Sequence, residues 1–433
     1  MNTLSLRRLA NRPFVRNVAI LSSGQAIAQG LVIAASPILT RLYDPDAFGA
    51  FGLLISLSAP LVGISALRYE LAIVTAKDDS TAANLLALSG AIVLLFCCLV
   101  VALVGFAGVW IAELVDQPEF GQLLWWLPVL MIAGGGNQVL SYWTTRKTHY
   151  KRLAVSRVLQ SLATLSTQLT AGMANLAAAG LVSARVMGGL VGAGILAIQI
   201  WRDDRSLMNT VITTSRMLET AKENLGFPKY NAPHNLINSL SKASVPYFLA
   251  PFFGVDVVGF YYLADRILNT PSALVSGSVR RVFFQRASEL HNEGRGFYRL
   301  LLKTFGALTA IGIWPLIPLV FYGPEIFSFV FGAEWQEAGN MARWLAVWWV
   351  LAFISGPAGE TLTILKLQKY LLIFRITFST VRVLAIFLGA MIGDAMTAIA
   401  ACSIVGAVFN LILIAGALFV ARSPSALKST EMD

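Results

Sequence analysis

The chain has 433 residues, of which 56% are hydrophobic and 13% charged, and its mean hydropathy is +0.68. This composition excludes a soluble globular protein and a disordered chain, and it indicates a polytopic membrane protein. The formal net charge of +10 is mostly an orientation signal, because the basic residues concentrate in alternate loops, so a nucleic-acid partner is not expected.

Twelve apolar segments are long enough to cross a bilayer, since a spanning helix needs about 20 predominantly apolar residues. They are 17–40, 46–66, 82–111, 122–144, 153–174, 178–200, 233–253, 256–279, 299–322, 338–363, 370–392 and 395–420. The sequence therefore predicts an all-α polytopic membrane protein with about twelve transmembrane helices.

The loops between these segments alternate in charge along the whole chain. Three of them, after the fourth, sixth and eighth segments, are rich in Lys and Arg, whereas the opposite loops are acidic and contain Arg41 as their one basic residue. By the positive-inside rule the basic loops are cytoplasmic, and both termini are then expected on the cytoplasmic side.

Residues 201–232 form the one long cytoplasmic linker predicted, which is mixed in charge and expected to be partly helical along the membrane surface. They divide the chain into a bundle over 1–200 and a second over 233–433. A weak repeat supports two six-helix halves, because Asp46-Ala-Phe-Gly-Ala-Phe51 matches Asp256-Val-Val-Gly-Phe-Tyr261 at the start of the second helix of each half. Halves of equal orientation would be related by an axis along the membrane normal, with substrate bound between them.

Nine ionisable residues within the predicted spans stand out, and seven of them are basic. They are Arg157, Arg185, Lys242, Asp265, Arg266, Arg343, Glu360, Arg375 and Arg382. A charge at the bilayer centre costs roughly 2.5–3.5 kcal/mol on insertion scales, so a chain that carries this many is expected to use them. Their positive excess predicts a cavity that holds an anion within the membrane.

Polar residues recur on single faces of several predicted helices, which indicates faces turned away from lipid. The candidate cavity residues are Lys242, Arg266, Arg382, Arg185, Arg375, Asn235, Asn238, Gln25 and Gln29. Most of the mid-depth charges lie in the second half, so the positive potential is expected to be stronger there.

Structural roles compete with this interpretation at several positions. Arg157 lies near the cytoplasmic end of its helix and is expected to snorkel to the interface, and Glu360 is expected to be interfacial. Arg375 fits an interface or the cavity equally well. Asp265 could pair with Lys242 or Arg266, or it could couple transport to an ion as a titrating group.

No pattern of catalytic or metal-binding residues stands out. The histidines at 149, 234 and 291 have no zinc-type spacing, and no large outer loop could house an enzyme site. No enzyme activity and no cofactor are therefore predicted.

Several stretches resemble polysaccharide flippases of the Wzx type. These are Leu39-Thr-Arg-Leu-Tyr-Asp-Pro-Asp-Ala-Phe-Gly49, Leu67-Arg-Tyr-Glu-Leu-Ala-Ile73, Ala82-Ala-Asn-Leu-Leu86, Tyr230-Asn-Ala-Pro-His-Asn-Leu236, Phe283-Phe-Gln-Arg-Ala287 and Phe327-Ser-Phe-Val-Phe-Gly332 with Trp335. The likeness runs across nearly the whole chain and implies membership of the multidrug/oligosaccharidyl-lipid/polysaccharide (MOP) exporter superfamily.

The resemblance implies two six-helix bundles arranged in a V, as in MATE transporters, within the bacterial cytoplasmic (inner) membrane. It implies transport of an undecaprenyl-diphosphate-linked oligosaccharide, the repeat unit of O-antigen, capsule or exopolysaccharide, from the inner to the outer leaflet. Membrane lipids, a polysaccharide polymerase and a chain-length regulator are the further partners it implies.

Three alternatives remain open. A multidrug exporter of the same superfamily is the closest, although organic cations would favour an acidic cavity. A polymerase or ligase of the same pathway would need a sizeable outer loop with catalytic residues, and a purely structural scaffold would not need the intramembrane charges.

Overall fold

A computed structural model describes residues 13–114 and 120–422, and in these ranges all regular structure is helical. Ten α-helices fall before residue 254: α1 Pro13–Leu42, α2 Pro45–Ile64, α3 Glu70–Thr75, α4 Asp79–Leu114, α5 Phe120–Leu124, α6 Leu127–Arg146, α7 Tyr150–Met173, α8 Ala177–Val211, α9 Thr214–Glu223 and α10 Ala232–Phe253. Six follow: α11 Val255–Asn292, α12 Tyr298–Phe331, α13 Gln336–Ile354, α14 Gly356–Ile364, α15 Gln368–Ile392 and α16 Ala395–Arg422.

Every predicted span coincides with a long helix or with two consecutive ones, which confirms an all-α polytopic membrane fold. Eight stretches of the described chain are long and apolar enough to cross a membrane. The other four predicted segments form α1, α7, α10 and α11, which are 30, 24, 22 and 38 residues long. Both predicted cytoplasmic termini lie largely outside the described residues.

Local sequence explains where several helices begin and end. The Asp44 side chain accepts a hydrogen bond from the Ala47 amide at 2.8 Å and caps α2, whose first residue is Pro45. Gly254, with φ of 98°, separates α10 from α11, and Gly332, with φ of 114°, ends α12. Only glycine adopts such angles without steric cost.

The chain forms two compact units, the first up to Pro251 and the second from Phe252. The division falls inside α10, later than the linker at 201–232 that the sequence indicated. In the first unit, α10 is tied to α2 because Asn235 donates to the Gly63 carbonyl at 3.1 Å and Tyr247 donates to the Leu53 carbonyl at 3.0 Å. The six-plus-six organisation stays a prediction.

The predicted linker is largely helical. Helix α8 continues to Val211, and α9 follows after a short turn in which Thr213 caps the new helix. Asn84, fully buried near the start of α4, donates to the Val211 carbonyl at 2.9 Å and accepts from the Thr213 amide at 3.1 Å. This turn is therefore fixed to the body of the first unit.

Glycines allow close helix packing within each unit. In the first, Gly188 and Gly192 of α8 lie against α7, where an added methyl at Gly188 would come within 2.8 Å of the Gln160 carbonyl oxygen. In the second, Gly323 of α12 meets Gly339 of α13 backbone to backbone. In lipid, apolar side chains gain little from packing against each other, because the lipid tails are equally apolar. Helices therefore associate through close packing at small residues such as these.

Large apolar side chains cover the outer surfaces of the helices. Phe106 is 93% exposed, Phe329 87% and Trp314 83%. Such exposure would promote aggregation in water but suits contact with lipid.

Candidate functional site

Four helices, α1, α7, α10 and α11, carry Arg157 and most of the predicted cavity residues. Helix α1 holds Gln25 and Gln29, α10 holds Asn235, Asn238 and Lys242, α11 holds Asp265 and Arg266, and α7 holds Arg157. Polar helices in a membrane protein turn their polar faces toward protein or a water-filled cavity. These helices are therefore the candidates for lining a transport path.

In the second unit Arg382 of α15 is nearly buried, with 5% of its surface exposed. Its guanidinium lies 5.6 Å from the ring centre of Trp348 on α13 and 5.5 Å from that of Phe378. Both distances fit cation–π contacts, which strengthen when the cation is shielded from water. Arg382 and Asp265 also lie within electrostatic range of the Tyr261 phenol on α11, so one charged cluster joins three helices.

Arg375, also on α15, belongs to a second charged cluster. Arg280 of α11 holds the Glu360 carboxylate of α14 through two hydrogen bonds, at 2.9 Å from Nε and 2.6 Å from Nη2. Arg375 lies within electrostatic range of both groups. Glu360, expected at an interface, is thus the carboxylate of a cluster with two arginines and a net positive charge.

The remaining predicted residues are less closely grouped. Gln25 and Gln29 are half-buried, Arg266 is half-buried, and Arg185 and Lys242 are exposed. Asn235 uses its amide nitrogen to bind α2. The Asn238 side chain lies outside the described residues.

A polar pocket of about 200 Å³ lies between α6 and α7 in the first unit. Its polar lining comes from Asn137, Gln138, Ser141, Ser156, Arg157 and Gln160. The Asn137 side chain donates to Oε1 of the Gln160 side chain at 3.0 Å across the pocket, and Ser156 donates to the Gly192 backbone carbonyl at 2.9 Å. Arg157, expected to snorkel, instead lines this pocket and is half-buried.

Next to the pocket, Glu70 forms a buried carboxylate centre with 1% of its surface exposed. Its Oε1 atom accepts from Gln138 at 2.8 Å and lies 3.2 Å from the Arg68 guanidinium. Burial raises the pKa of the Glu70 carboxyl, and the bonds from its own backbone amide, Arg68 and Gln138 oppose that shift only in part.

The backbone ahead of Glu70 is strained. Leu67 and Arg68 have φ of 48° and 65°, a left-handed conformation that costs a non-glycine residue about 1–3 kcal/mol. This turn directs Arg68 and Glu70 toward α6, so the Arg-Tyr-Glu segment of the sequence resemblance builds the wall beside the pocket.

Two of these features were not predicted from the sequence. A signal for the pocket was present, because Asn137, Gln138 and Ser141 share a face of α6 as Ser156, Arg157 and Gln160 share a face of α7. The burial of Glu70 had no such signal, since it depends on a left-handed turn without glycine. Within the described residues no group of His, Cys, Asp and Glu could hold a metal ion.

Long helices with apolar outer surfaces define a polytopic all-α membrane fold, and solved structures share it. One similar structure is an inward-facing multidrug resistance MATE family transporter of the MOP superfamily, 14% identical, with a TM-score of 0.67 over 96% of this chain and 98% of that one. Another is the lipid II flippase MurJ in an inward closed conformation, 12% identical, with a TM-score of 0.69 over 92% and 87%. At such identities the likeness establishes the fold alone.

The chain belongs to the family described as "Polysaccharide biosynthesis protein", whose model matches residues 38–340. The chain is also similar to the teichuronic acid biosynthesis protein TuaB of Bacillus subtilis (strain 168), with 25% identity over 145 residues. That match spans 34% of this chain and 30% of the relative's length.

Proposed function

We propose that the protein is a flippase that moves an undecaprenyl-diphosphate-linked oligosaccharide repeat unit from the inner to the outer leaflet of the cytoplasmic membrane. The observation that carries this proposal is the family match over residues 38–340, combined with a transporter fold. The product would be O-antigen, capsule or exopolysaccharide. The protein then acts as a transporter rather than an enzyme.

The intramembrane cations suit this cargo. A diphosphate carries about two negative charges, and arginines can replace part of its lost hydration through paired hydrogen bonds. We assign this role to Lys242, Arg266, Arg382, Arg185 and Arg375, and we assign sugar hydroxyl binding to Asn235, Asn238, Gln25 and Gln29. The cluster of Arg280, Arg375 and Glu360 supports the assignment, because its two arginines outnumber its one carboxylate.

Transport would proceed by alternating access, with the polyprenyl tail remaining in lipid. An anion that leaves a negative cell interior gains roughly 2.3 kcal/mol per charge per 100 mV. The proposed site of proton coupling is Asp265. Asp265 and Arg382 both lie within electrostatic range of Tyr261. A polysaccharide polymerase and a chain-length regulator are the proposed partners on the outer side.

The test is replacement of single cations in cells that depend on this chain for surface polysaccharide. Arg382→Ala and Lys242→Ala are expected to abolish the polysaccharide and to strand lipid-linked units in the inner leaflet at normal protein levels. Arg382→Lys keeps the charge and should retain more export than Arg382→Ala. Lys369→Ala, which removes an exposed charge from the first turn of the same helix α15, is the matched control.

Two results would contradict the proposal. Unchanged surface polysaccharide in both alanine variants would show that Arg382 and Lys242 are not needed to bind the diphosphate. Drug sensitivity on deletion without any polysaccharide defect would favour the multidrug exporter instead.

A further inference from the structure

The pocket between α6 and α7 is built from two facing stripes of polar residues. On each helix the lining positions recur at spacings of three and four, which places them on one face. The Asn137–Gln160 hydrogen bond joins the stripes, and Gly192 of α8 leaves room behind Gln160, whose Oε1 lies 2.9 Å from where a methyl at 192 would stand. The pocket is thus a fixed feature of the first unit.

Arg157 gives this pocket its charge. Among the described residues its guanidinium makes no hydrogen bond and no ion pair. The nearby carboxylate that could neutralise it, Glu70, is held by Arg68 and Gln138. The lining therefore carries one positive charge among amides and hydroxyls that both donate and accept hydrogen bonds.

A single cation matches a ligand with one negative charge. A phosphate group at neutral pH carries about 1.5–2 negative charges and would leave part of its charge unbalanced here. A carboxylate carries one and accepts two parallel hydrogen bonds from a guanidinium. The amides and hydroxyls beside Arg157 suit the hydroxyl groups of a sugar ring.

The size of the pocket agrees with a single sugar ring. Its volume of about 200 Å³ is below the roughly 300–1,000 Å³ of pockets that enclose drug-sized ligands. That space suits one pyranose ring with a carboxylate rather than a whole oligosaccharide.

We propose that this pocket binds the carboxylate and ring hydroxyls of an acidic sugar, a hexuronate, through Arg157, Gln160 and Asn137. The inference rests on the proposed function in that the sugar would belong to the transported repeat unit. It adds a subsite in the first unit that binds a negatively charged sugar of the cargo. The cations assigned above bind the diphosphate of the lipid carrier instead.

The test uses the purified full chain in lipid nanodiscs with sodium glucuronate as the probe, followed by saturation-transfer-difference NMR. Saturable binding of glucuronate is expected, with glucose binding more weakly. Arg157→Ala should weaken glucuronate binding at least about tenfold, because a hydrogen-bonded charge is lost. Arg157→Gln, which keeps polar contacts but removes the charge, should weaken glucuronate binding and leave the weaker glucose binding unchanged.

The control is Lys151→Ala, which removes an exposed positive charge from the same helix outside the pocket. It should bind glucuronate as the unmodified chain does. Equal glucuronate affinity in the variants at 151 and 157, or no saturable binding by the unmodified chain, would overturn the proposal. Displacement of glucuronate by inorganic phosphate at lower concentrations than by free glucuronate would assign the pocket to a phosphate headgroup and overturn the acidic-sugar assignment.

These outcomes are separable from those for the proposed function. If the chain exports polysaccharide in cells but binds no glucuronate, the pocket assignment alone fails. If it binds glucuronate through Arg157 while the variants at 242 and 382 export normally, the flippase cavity alone fails.

Discussion

At the scale of single residues, Glu70 is the group whose ionisation bears most directly on folding. It is a carboxylate with 1% of its surface exposed, and within the described chain its Oε2 atom makes no hydrogen bond. Arg68 and Gln138 satisfy only the other oxygen. A buried acid of this kind prefers to be protonated, so its charge at neutral pH reduces the stability of the fold.

Glu70→Gln should therefore stabilise the protein increasingly as pH rises. Because the folded-state pKa of Glu70 is raised above its ordinary value of 4.5, its contribution to folding is greatest below that pH and declines as pH rises toward the folded-state pKa. The difference in unfolding temperature between the variant and the unmodified chain, measured in detergent across pH, should grow in favour of the variant. Glu293→Gln, at an exposed carboxylate with 52% of its side chain accessible, serves as the control. A difference that shrinks with rising pH would mean that the Arg68 ion pair outweighs burial.

Asn84 provides a second prediction for a single residue. Its buried amide satisfies the Val211 carbonyl and the Thr213 amide, so Asn84→Ala leaves two backbone groups without partners. Each such group costs about 1–3 kcal/mol. The variant should unfold at lower temperature and be cut faster by trypsin at Arg205 or Arg216. Asn340→Ala, which removes a hydrogen bond of 3.3 Å to Glu337 at the surface, should change neither.

Sequence reasoning predicted the residue types of the site better than their surroundings. Arg382 was predicted as a mid-depth cation, and Phe378 lies four residues before it on the same helical face. The second ring, Trp348, comes from α13, and a linear pattern does not place it beside Arg382. Arg157 was interpreted from its depth in the membrane, whereas its environment depends on which face of α7 meets α6. The sequence predicts how deep a residue lies in the membrane. Only the packing of the helices determines which side chains of a neighbouring helix it contacts.

At the scale of elements, the hydrophobic pattern was sufficient to predict every long helix. Polar residues in α1, α7, α10 and α11 did not prevent the prediction, because a span needs a predominantly apolar stretch and tolerates a polar face. The apolar pattern did not place the end of the sixth span, which was predicted at residue 200, whereas α8 runs to Val211 and the turn before α9 is held by Asn84. Buried hydrogen bonds rather than apolar periodicity fix that segment.

The crossing of α7 and α8 should be sensitive to a single methyl group at one glycine and insensitive at another. A methyl at Gly188 would collide with Thr164 and come within 2.8 Å of the Gln160 backbone oxygen, whereas nothing lies within 4 Å of a methyl at Gly194. Gly188→Ala should cost about 1–3 kcal/mol through overpacking. Gly194→Ala should be neutral or slightly stabilising, because alanine favours helix. Thermal unfolding of both variants in detergent measures this, and equal midpoints would show that the helices separate readily.

At the scale of the whole molecule, each unit combines an apolar exterior with charged groups inside. The first contains the polar pocket and the Glu70 centre, and the second contains the nearly buried Arg382, whereas Arg375 and Arg280 are exposed. An apolar exterior with interior charges is the arrangement expected of a path for polar cargo through lipid. The two units hold different charged groups, which suits a cargo with chemically different parts.

Orientation in the membrane can be tested at the two ends of α12. Its backbone departs from helical geometry at Tyr322, and the stretch 298–321 before that kink spans about 36 Å at 1.5 Å per residue, enough to cross the hydrocarbon core of about 30 Å. Basic residues precede it and acidic residues follow it, so its start should be cytoplasmic and its end external. Glu293 and Glu334 are exposed at these two ends and offer a matched pair of substitutions.

The cysteines at 97, 98 and 402 would first be replaced by serine, and Glu293→Cys and Glu334→Cys then introduced separately. A membrane-impermeant maleimide should label the variant at 334 in intact cells and the variant at 293 only after the membrane is opened. The reverse pattern would invert the positive-inside assignment and reverse the proposed direction of the anion relative to the membrane potential. Labelling of both variants in intact cells would show that α12 does not cross the membrane.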